Sequence, residues 1–159
     1  VKRAYDILFA DILGLKALHD ETGALTMSPD VADYQDGILY VTTDIRYPAT
    51  MRQTDVTDRL DKAGVRYELL HCQPPLYNDK NGSLVRTLLA VYEEATGEKA
   101  EPIAIGGGTY ARALKNGAGF GPQFADEPAT IHCADEYITL ENIEKLAKIY
   151  RLAIERLTR

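Results

Sequence analysis

The stretch most suited to chemistry is a run of three glycines, Gly106-Gly107-Gly108, followed by Thr109-Tyr110-Ala111-Arg112. Glycines let a backbone approach a ligand closely, and free amides at the start of a following helix attract an anion. Thr109 adds a hydroxyl and Arg112 a cation, so a carboxylate or phosphate is the ligand class this run suits. A tight strand-to-helix turn with no ligand fits the local sequence equally well. The spacing Gly106-x-Gly108-x-x-Ala111 also meets a loose dinucleotide fingerprint, but no acidic residue follows at the end of a second parallel strand. A second group is His132-Cys133-Ala134-Asp135-Glu136. A neutral imidazole can bind a divalent metal, yet a catalytic zinc takes about three protein ligands. His19 and His71 show no metal-ligand spacing to His132. Asp135 and Glu136 suit either a helix cap or the orientation of His132, and Cys133 would face the other side of a strand, which argues against a Cys/His nucleophile. The third candidate is Arg46, which ends a β-rich run just before Tyr47-Pro48. An arginine there can clamp a carboxylate through two parallel hydrogen bonds, although a solvated surface charge is the commoner outcome.

The elements that must position these residues are legible in part. Apolar residues at Tyr5, Leu8, Phe9, Ile12 and Leu13 predict a helix over residues 2–18, broken near Gly14. Residues 24–27 read as a strand leading to Pro29, Asp36-Gly37 as a hairpin turn, and Gly37 to Arg46 as a strand paired with the first. Met51, Val56, Leu60 and Ala63 mark a helical face that ends at Gly64, and residues 65–72 read as another strand that places Cys72 in the core. That order predicts an α+β unit with a small antiparallel sheet. Pro74-Pro75 and the turn formers behind them predict a domain boundary. Beyond it, Ser83 is expected to cap a helix carrying Leu84, Val85, Leu88, Tyr92 and Ala95 and ending at Gly97. Short strands are expected over 101–105, 117–120 and 129–132. Thr139 is expected to cap a last helix with Ile143, Leu146, Tyr150, Ile154 and Leu157 on its buried side, and with Glu141 before Lys145 and Glu144 before Lys148 outside. Alternating helix and strand make this half α/β.

The chain has 159 residues, 45% hydrophobic and 26% charged, which excludes a disordered polymer. Its formal charge of −6, without a Lys/Arg-rich run, argues against nucleic acid as a partner. No apolar run approaches the roughly 18 residues a membrane span needs, so no membrane partner is expected. Two cysteines, Cys72 and Cys133, are too few for a disulfide framework, and a cytoplasmic location fits them best. The first residue is Val1 rather than Met, which fits a piece of a longer chain.

Three stretches, taken in order, resemble a known family: Thr43-Asp44-Ile45-Arg46-Tyr47-Pro48, then Pro102-Ile103-Ala104-Ile105-Gly106-Gly107-Gly108-Thr109-Tyr110-Ala111-Arg112, then His132-x-x-Asp135-Glu136-Tyr137-Ile138. They are similar to the C-terminal part of the di-zinc metallopeptidases that include carnosinase, aminoacylase and carboxypeptidase G, and most similar to the PepV-type Xaa-His dipeptidases. The likeness covers nearly the whole chain and is weakest over residues 1–22. It implies that residues 1–75 form the second half of a ferredoxin-like α+β lid domain, and residues 76–159 the α/β C-terminal segment of the catalytic domain. It implies His132 as the last metal ligand, Arg46 as the lid arginine that binds the substrate's C-terminal carboxylate, and Gly107, Gly108 and Thr109 as lining of the substrate pocket. The cofactor implied is a pair of zinc ions, with manganese or cobalt as alternatives, and the substrate is a dipeptide or short peptide cut by a metal-bridged water.

The same likeness implies what this sequence does not contain. The family's H-x-D motif, its bridging aspartate, its Glu-Glu pair with the general base, a further carboxylate ligand and a lid histidine belong to an upstream half, so no catalytic residue is expected here. We therefore expect a fragment of a protein about three times longer, inactive by itself and binding no metal tightly. Its partners would be the missing N-terminal catalytic half and, as some relatives dimerise through the lid, a second copy. The alternative is a stand-alone, non-catalytic module that binds an anion on the Gly106–Thr109 loop.

Overall fold

The computed structural model describes residues 2–9, 11–121, 123–124 and 127–159. The chain divides into two compact units. One is Val1–Tyr77 with Ala104–Gly108, the other Asn78–Ile103 with Thr109–Arg159. The architecture is α+β, with two antiparallel two-stranded sheets and four α-helices among the described residues.

In the first unit, helix α1 (Lys2–Leu8) is followed by the short strands β1 (His19–Asp20) and β2 (Gly23–Ala24). The long strands β3 (Thr26–Gln35) and β4 (Ile38–Arg46) come next, then helix α2 (Gln53–Lys62). The β3–β4 hairpin turns at Asp36 and Gly37, whose φ angles of 50° and 80° are both left-handed, as the twist-matched two-residue turn requires. Its register runs from Thr26 opposite Arg46 to Gln35 opposite Ile38 and shifts between Pro29 and Val31. That irregularity lets a proline sit in the strand without leaving a ladder hydrogen bond unmade. Along β4 burial alternates: Leu39, Val41, Thr43 and Ile45 are half-buried, whereas Tyr40, Thr42, Asp44 and Arg46 are exposed. The core of this unit is Leu13, Leu15, Leu25 and Val56, with Met27, Ile45 and Leu60 packed against it.

Helix α2 ends as expected. Val65 N–H reaches Leu60 O at 3.0 Å and Gly64 N–H reaches Asp61 O at 2.9 Å, with Gly64 at φ 63°. This paired closure satisfies the last carbonyls and needs a residue that tolerates the left-handed region. Helix α1 is shorter than the apolar spacing predicts. Asp11 adopts φ 55°, and its Oδ1 accepts from Leu15 N–H at 2.7 Å and Lys16 N–H at 3.1 Å. The side chain thus offers the backbone a turn in place of another helical one, and Tyr5, Phe9 and Ile12 stay exposed.

The second unit is built on helices α3 (Ser83–Thr96) and α4 (Leu140–Leu157). Leu88, Val91, Phe124, Leu146, Ile149 and Ala153 form its core. Gly82, not Ser83, is the N-cap of α3, since Asp79 already turns the chain by accepting from Gly82 N–H at 2.8 Å. Thr139 does cap α4, its Oγ1 accepting from Asn142 N–H at 3.2 Å. The buried stripe of α4 is Asn142, Leu146, Ile149 and Ala153, one position off the expected face, so Ile143, Ile154 and Leu157 are exposed. The helix is apolar on two sides, and periodicity alone does not say which side meets α3. Asn142 tolerates burial because its amide donates to Glu127 Oε1. Lys145 pairs with Glu141 at 3.0 Å, whereas Lys148 donates to Ala95 O at 3.2 Å rather than pairing with Glu144.

Four expected strands are not formed. Residues 65–72, 101–105, 117–120 and 129–132 belong to no helix or ladder. In 65–72 and 101–105 the β-forming side chains are largely solvent-facing, Leu70 being 70% and Ile103 85% exposed, whereas Ala118 and Phe120 pack against the helical core without a strand partner. A strand exists only where a neighbour takes its N–H and C=O groups, and none of the described residues does so here. The second unit therefore shows helices without the expected α/β alternation among its described residues. Cys72, expected in the core, is exposed, with Tyr47 Oη 3.8 Å from its sulfur. No described helix is long and apolar enough to cross a membrane.

Candidate functional site

Arg46 lies at the end of β4, on its exposed face. Its Nε and Nη2 both lie 2.9 Å from Asp44 Oδ2, and its Nη1 donates to Gly106 O at 2.7 Å. Residues two apart on a strand share a face, which is why Asp44 reaches Arg46 without distortion. The contact with Gly106 falls inside the first unit, to which residues 104–108 belong. The structure thus brings together the arginine and the glycine run that the sequence marks separately.

The loop itself differs from expectation. No strand precedes the glycines, and they lead into a four-residue 3-10 turn, Tyr110–Ala113, not an α-helix. So short a turn lacks the stacked peptide dipoles of a helix N-terminus. Thr109 Oγ1 accepts from Ala111 N–H at 3.2 Å and caps that turn. The loop is fully exposed from Gly106 to Tyr110. A Cβ placed on Gly106 would meet nothing within 4 Å, and one on Gly107 only Ile105 Cδ1 at 3.9 Å. Neither position has a left-handed φ. The described fold therefore does not itself demand glycine at 106 or 107.

His132 and Thr109 belong to the second unit. His132 is exposed and sits not at a strand end but in a turn, at φ 60°, with Asp135 at φ 59°. The left-handed region costs a non-glycine residue conformational energy, so something must hold it there. Glu136 Oε2 accepts from His132 N–H at 3.1 Å, and Cys133 N–H donates to Thr130 O at 3.0 Å. Of the two uses the sequence allows for Glu136, the observed one is to fix the backbone of His132, because Thr139 takes the capping role. Because residues 129–132 form no strand, the opposite-faces argument against Cys133 does not apply.

A metal centre needs several convergent donors, and the described residues contain no group of three or more His, Cys, Asp or Glu side chains that could hold an ion. His19 is engaged elsewhere, its Nδ1 lying 3.0 Å from Ala17 O. The donors among the described residues therefore do not by themselves fit a metal pair, and His132 offers a single imidazole. Two polar residues with clear partners escape sequence reasoning. Asp44 is one, and its signal is the Asp-x-Arg spacing on a strand. The other is Asp20, whose carboxylate accepts from Thr22 N–H and Oγ1, both at 2.6 Å, and from Thr50 N–H at 2.9 Å and Oγ1 at 2.7 Å. These donors, Thr22's hydroxyl foremost, hold the Asp20 carboxyl well below the usual carboxylate range. Asp20 thereby ties the β1–β2 turn to the segment after β4, a structural rather than a catalytic use.

Comparison with known proteins places the chain in a family. A protein of Staphylococcus epidermidis named "Putative dipeptidase" is 36% identical over 151 residues, covering 92% of this chain and 32% of that protein. A Staphylococcus aureus protein named "Putative dipeptidase MW1694" is 34% identical over 157 residues, covering 94% of this chain and 33% of that protein. The chain spans about a third of the length of these curated relatives. Residues 9–156 match peptidase family M20/M25/M40, and the chain belongs to that family.

Proposed function

We propose that this chain is the C-terminal part of a metal-dependent dipeptidase that hydrolyses short peptides such as Xaa-His dipeptides. The observation that carries the reading is the meeting of Arg46 with the glycine loop at Gly106 O, 2.7 Å away, within one compact unit. A half-exposed guanidinium beside an exposed backbone loop suits the free carboxylate of a short peptide: the arginine supplies charge and directed N–H groups, and the loop supplies amides. On this reading Gly107 and Gly108 let the peptide lie close to the backbone, and Thr109 adds a hydroxyl to the pocket. The lack of any steric demand for glycine at 106 and 107 supports a ligand-related reason for it. Family membership and the relatives' names support the reaction class.

The metal ions, two zinc by resemblance with manganese or cobalt as alternatives, would be held by residues outside this chain together with His132. The chain alone is accordingly expected to bind none tightly and to be inactive. Residues 1–75 would be the second half of a ferredoxin-like lid and residues 76–159 the closing segment of the catalytic domain. The β-forming segments 65–72 and 101–105, unpaired here, fit strands completed by the upstream part. A cytoplasmic location fits the two free cysteines. Arg46→Ala in the full-length protein tests the reading. KM for a dipeptide should rise at least about tenfold, equivalent to about 1.4 kcal/mol, and kcat should fall. If neither constant changes tenfold, Arg46 does not hold the substrate.

A further inference from the structure

A long arginine side chain binds a carboxylate well only if something holds its guanidinium in place beforehand, because ordering it at the moment of binding subtracts from affinity. In this protein Asp44 does the holding. It precedes Arg46 by two residues on the exposed face of β4, and its Oδ2 takes both Nε and Nη2 at 2.9 Å. Gly106 O takes a hydrogen of Nη1 at 2.7 Å. A guanidinium carries five N–H groups, so these contacts leave one N–H on each terminal nitrogen for a ligand. Across the ladder, the residues opposite Asp44 and Arg46 are Ser28 and Thr26, and Ser28 Oγ donates to Asp30 at 2.9 Å. No charge on β3 lies directly opposite the pair. The two side chains are 45% and 55% exposed, and a surface ion pair of that kind contributes little to folding.

Two effects of Asp44 on an incoming carboxylate oppose each other. Its charge repels the ligand, and its hydrogen bonds aim the arginine. At this exposure the repulsion is screened by solvent and salt, whereas the geometric restraint is not. We propose that Asp44 is the positioning residue for Arg46, fixing the guanidinium so that its terminal N–H groups meet the free carboxylate of the peptide substrate. The proposal rests on the reading of Arg46 given above.

The test uses the full-length protein, a dipeptide, and the same dipeptide with an amidated C-terminus. Asp44→Ala should raise KM for the free acid about three- to tenfold, leave kcat within about twofold, and leave the kinetics on the amide unchanged. Asp44→Asn, which keeps an acceptor oxygen, should recover part of the loss and serves as the second variant should Asp44→Ala fold poorly. A fall in KM would mean that Asp44 competes with the substrate carboxylate, and an equal loss on acid and amide would mean a merely structural role. Either result overturns the proposal. Arg46→Ala run in parallel separates the two layers. If Arg46→Ala distinguishes acid from amide while both Asp44 variants behave as wild type, only the positioning role fails. If Arg46→Ala does not distinguish them, the carboxylate reading fails and the positioning role with it.

Discussion

The two units solve the same problem, burying apolar surface, in different ways. The second packs α3 against α4 over a core in which Val91 is 0% and Ile149 3% exposed. The first sets its two-stranded hairpin, through Met27 and Ile45, against a core that among the described residues is Leu13, Leu15, Leu25 and Val56. Toward its tip the hairpin leaves Val31, Tyr34, Ile38 and Tyr40 exposed. A helix satisfies its own backbone, so two helices need only side-chain contact to become stable. A sheet must find its hydrogen-bond partners in other segments, and a pair of strands alone is marginal. The candidate chemistry follows this division. Arg46 stands on the hairpin, the less buried of the two frameworks, and is set by local hydrogen bonds instead of by packing.

This comparison can be broken or sharpened by substitution. The largest expected effect is in the helical core. Ile149→Ala should destabilise the second unit by about 3 kcal/mol, read by denaturant unfolding and by loss of hydrogen-exchange protection in α3 and α4. A loss under 1 kcal/mol would show that the helix pair is looser than its burial implies. Next comes the hairpin turn. Gly37→Ala places a Cβ at φ 80° and should cost about 1 kcal/mol, seen as faster amide exchange along β3 and β4.

Asp20 contributes through pH. Its carboxyl is held below its ordinary value in the folded chain, so its stabilisation is fully present above the unfolded value of about 3.9 and is lost as pH falls below it. Asp20→Asn should flatten the fall of the melting midpoint between about pH 4 and pH 2. An unchanged acid profile would remove Asp20 from the account of the fold. The smallest expected stability effect is at the glycine loop. Gly107→Ala should leave stability within about 0.5 kcal/mol yet raise KM in the full-length protein. A purely structural role for that glycine would give the reverse.

Much of the local structure is legible in the residues. Asp36-Gly37 announces the hairpin because the turn needs two left-handed residues, and Gly64, Gly97 and Thr139 mark helix ends because their backbone or hydroxyl suits those places. The differences from expectation have separate causes. The EPIAI segment and residues 65–72 have strand-like side chains, but side chains do not supply the missing ladder. The buried face of α4 is misjudged because both candidate faces are apolar.

For the site, Arg46, Gly107, Gly108, Thr109 and His132 are picked out by residue type and motif alone, and so is membership of the peptidase family. The sequence by itself determines the hairpin, the three longer helices and these candidate residues, because each depends on neighbours a few positions away. Tertiary structure alone decides that Arg46 meets Gly106 sixty residues on and that four β-forming segments stay unpaired. Those outcomes depend on which distant groups arrive to complete a hydrogen bond, and no local pattern encodes that arrival.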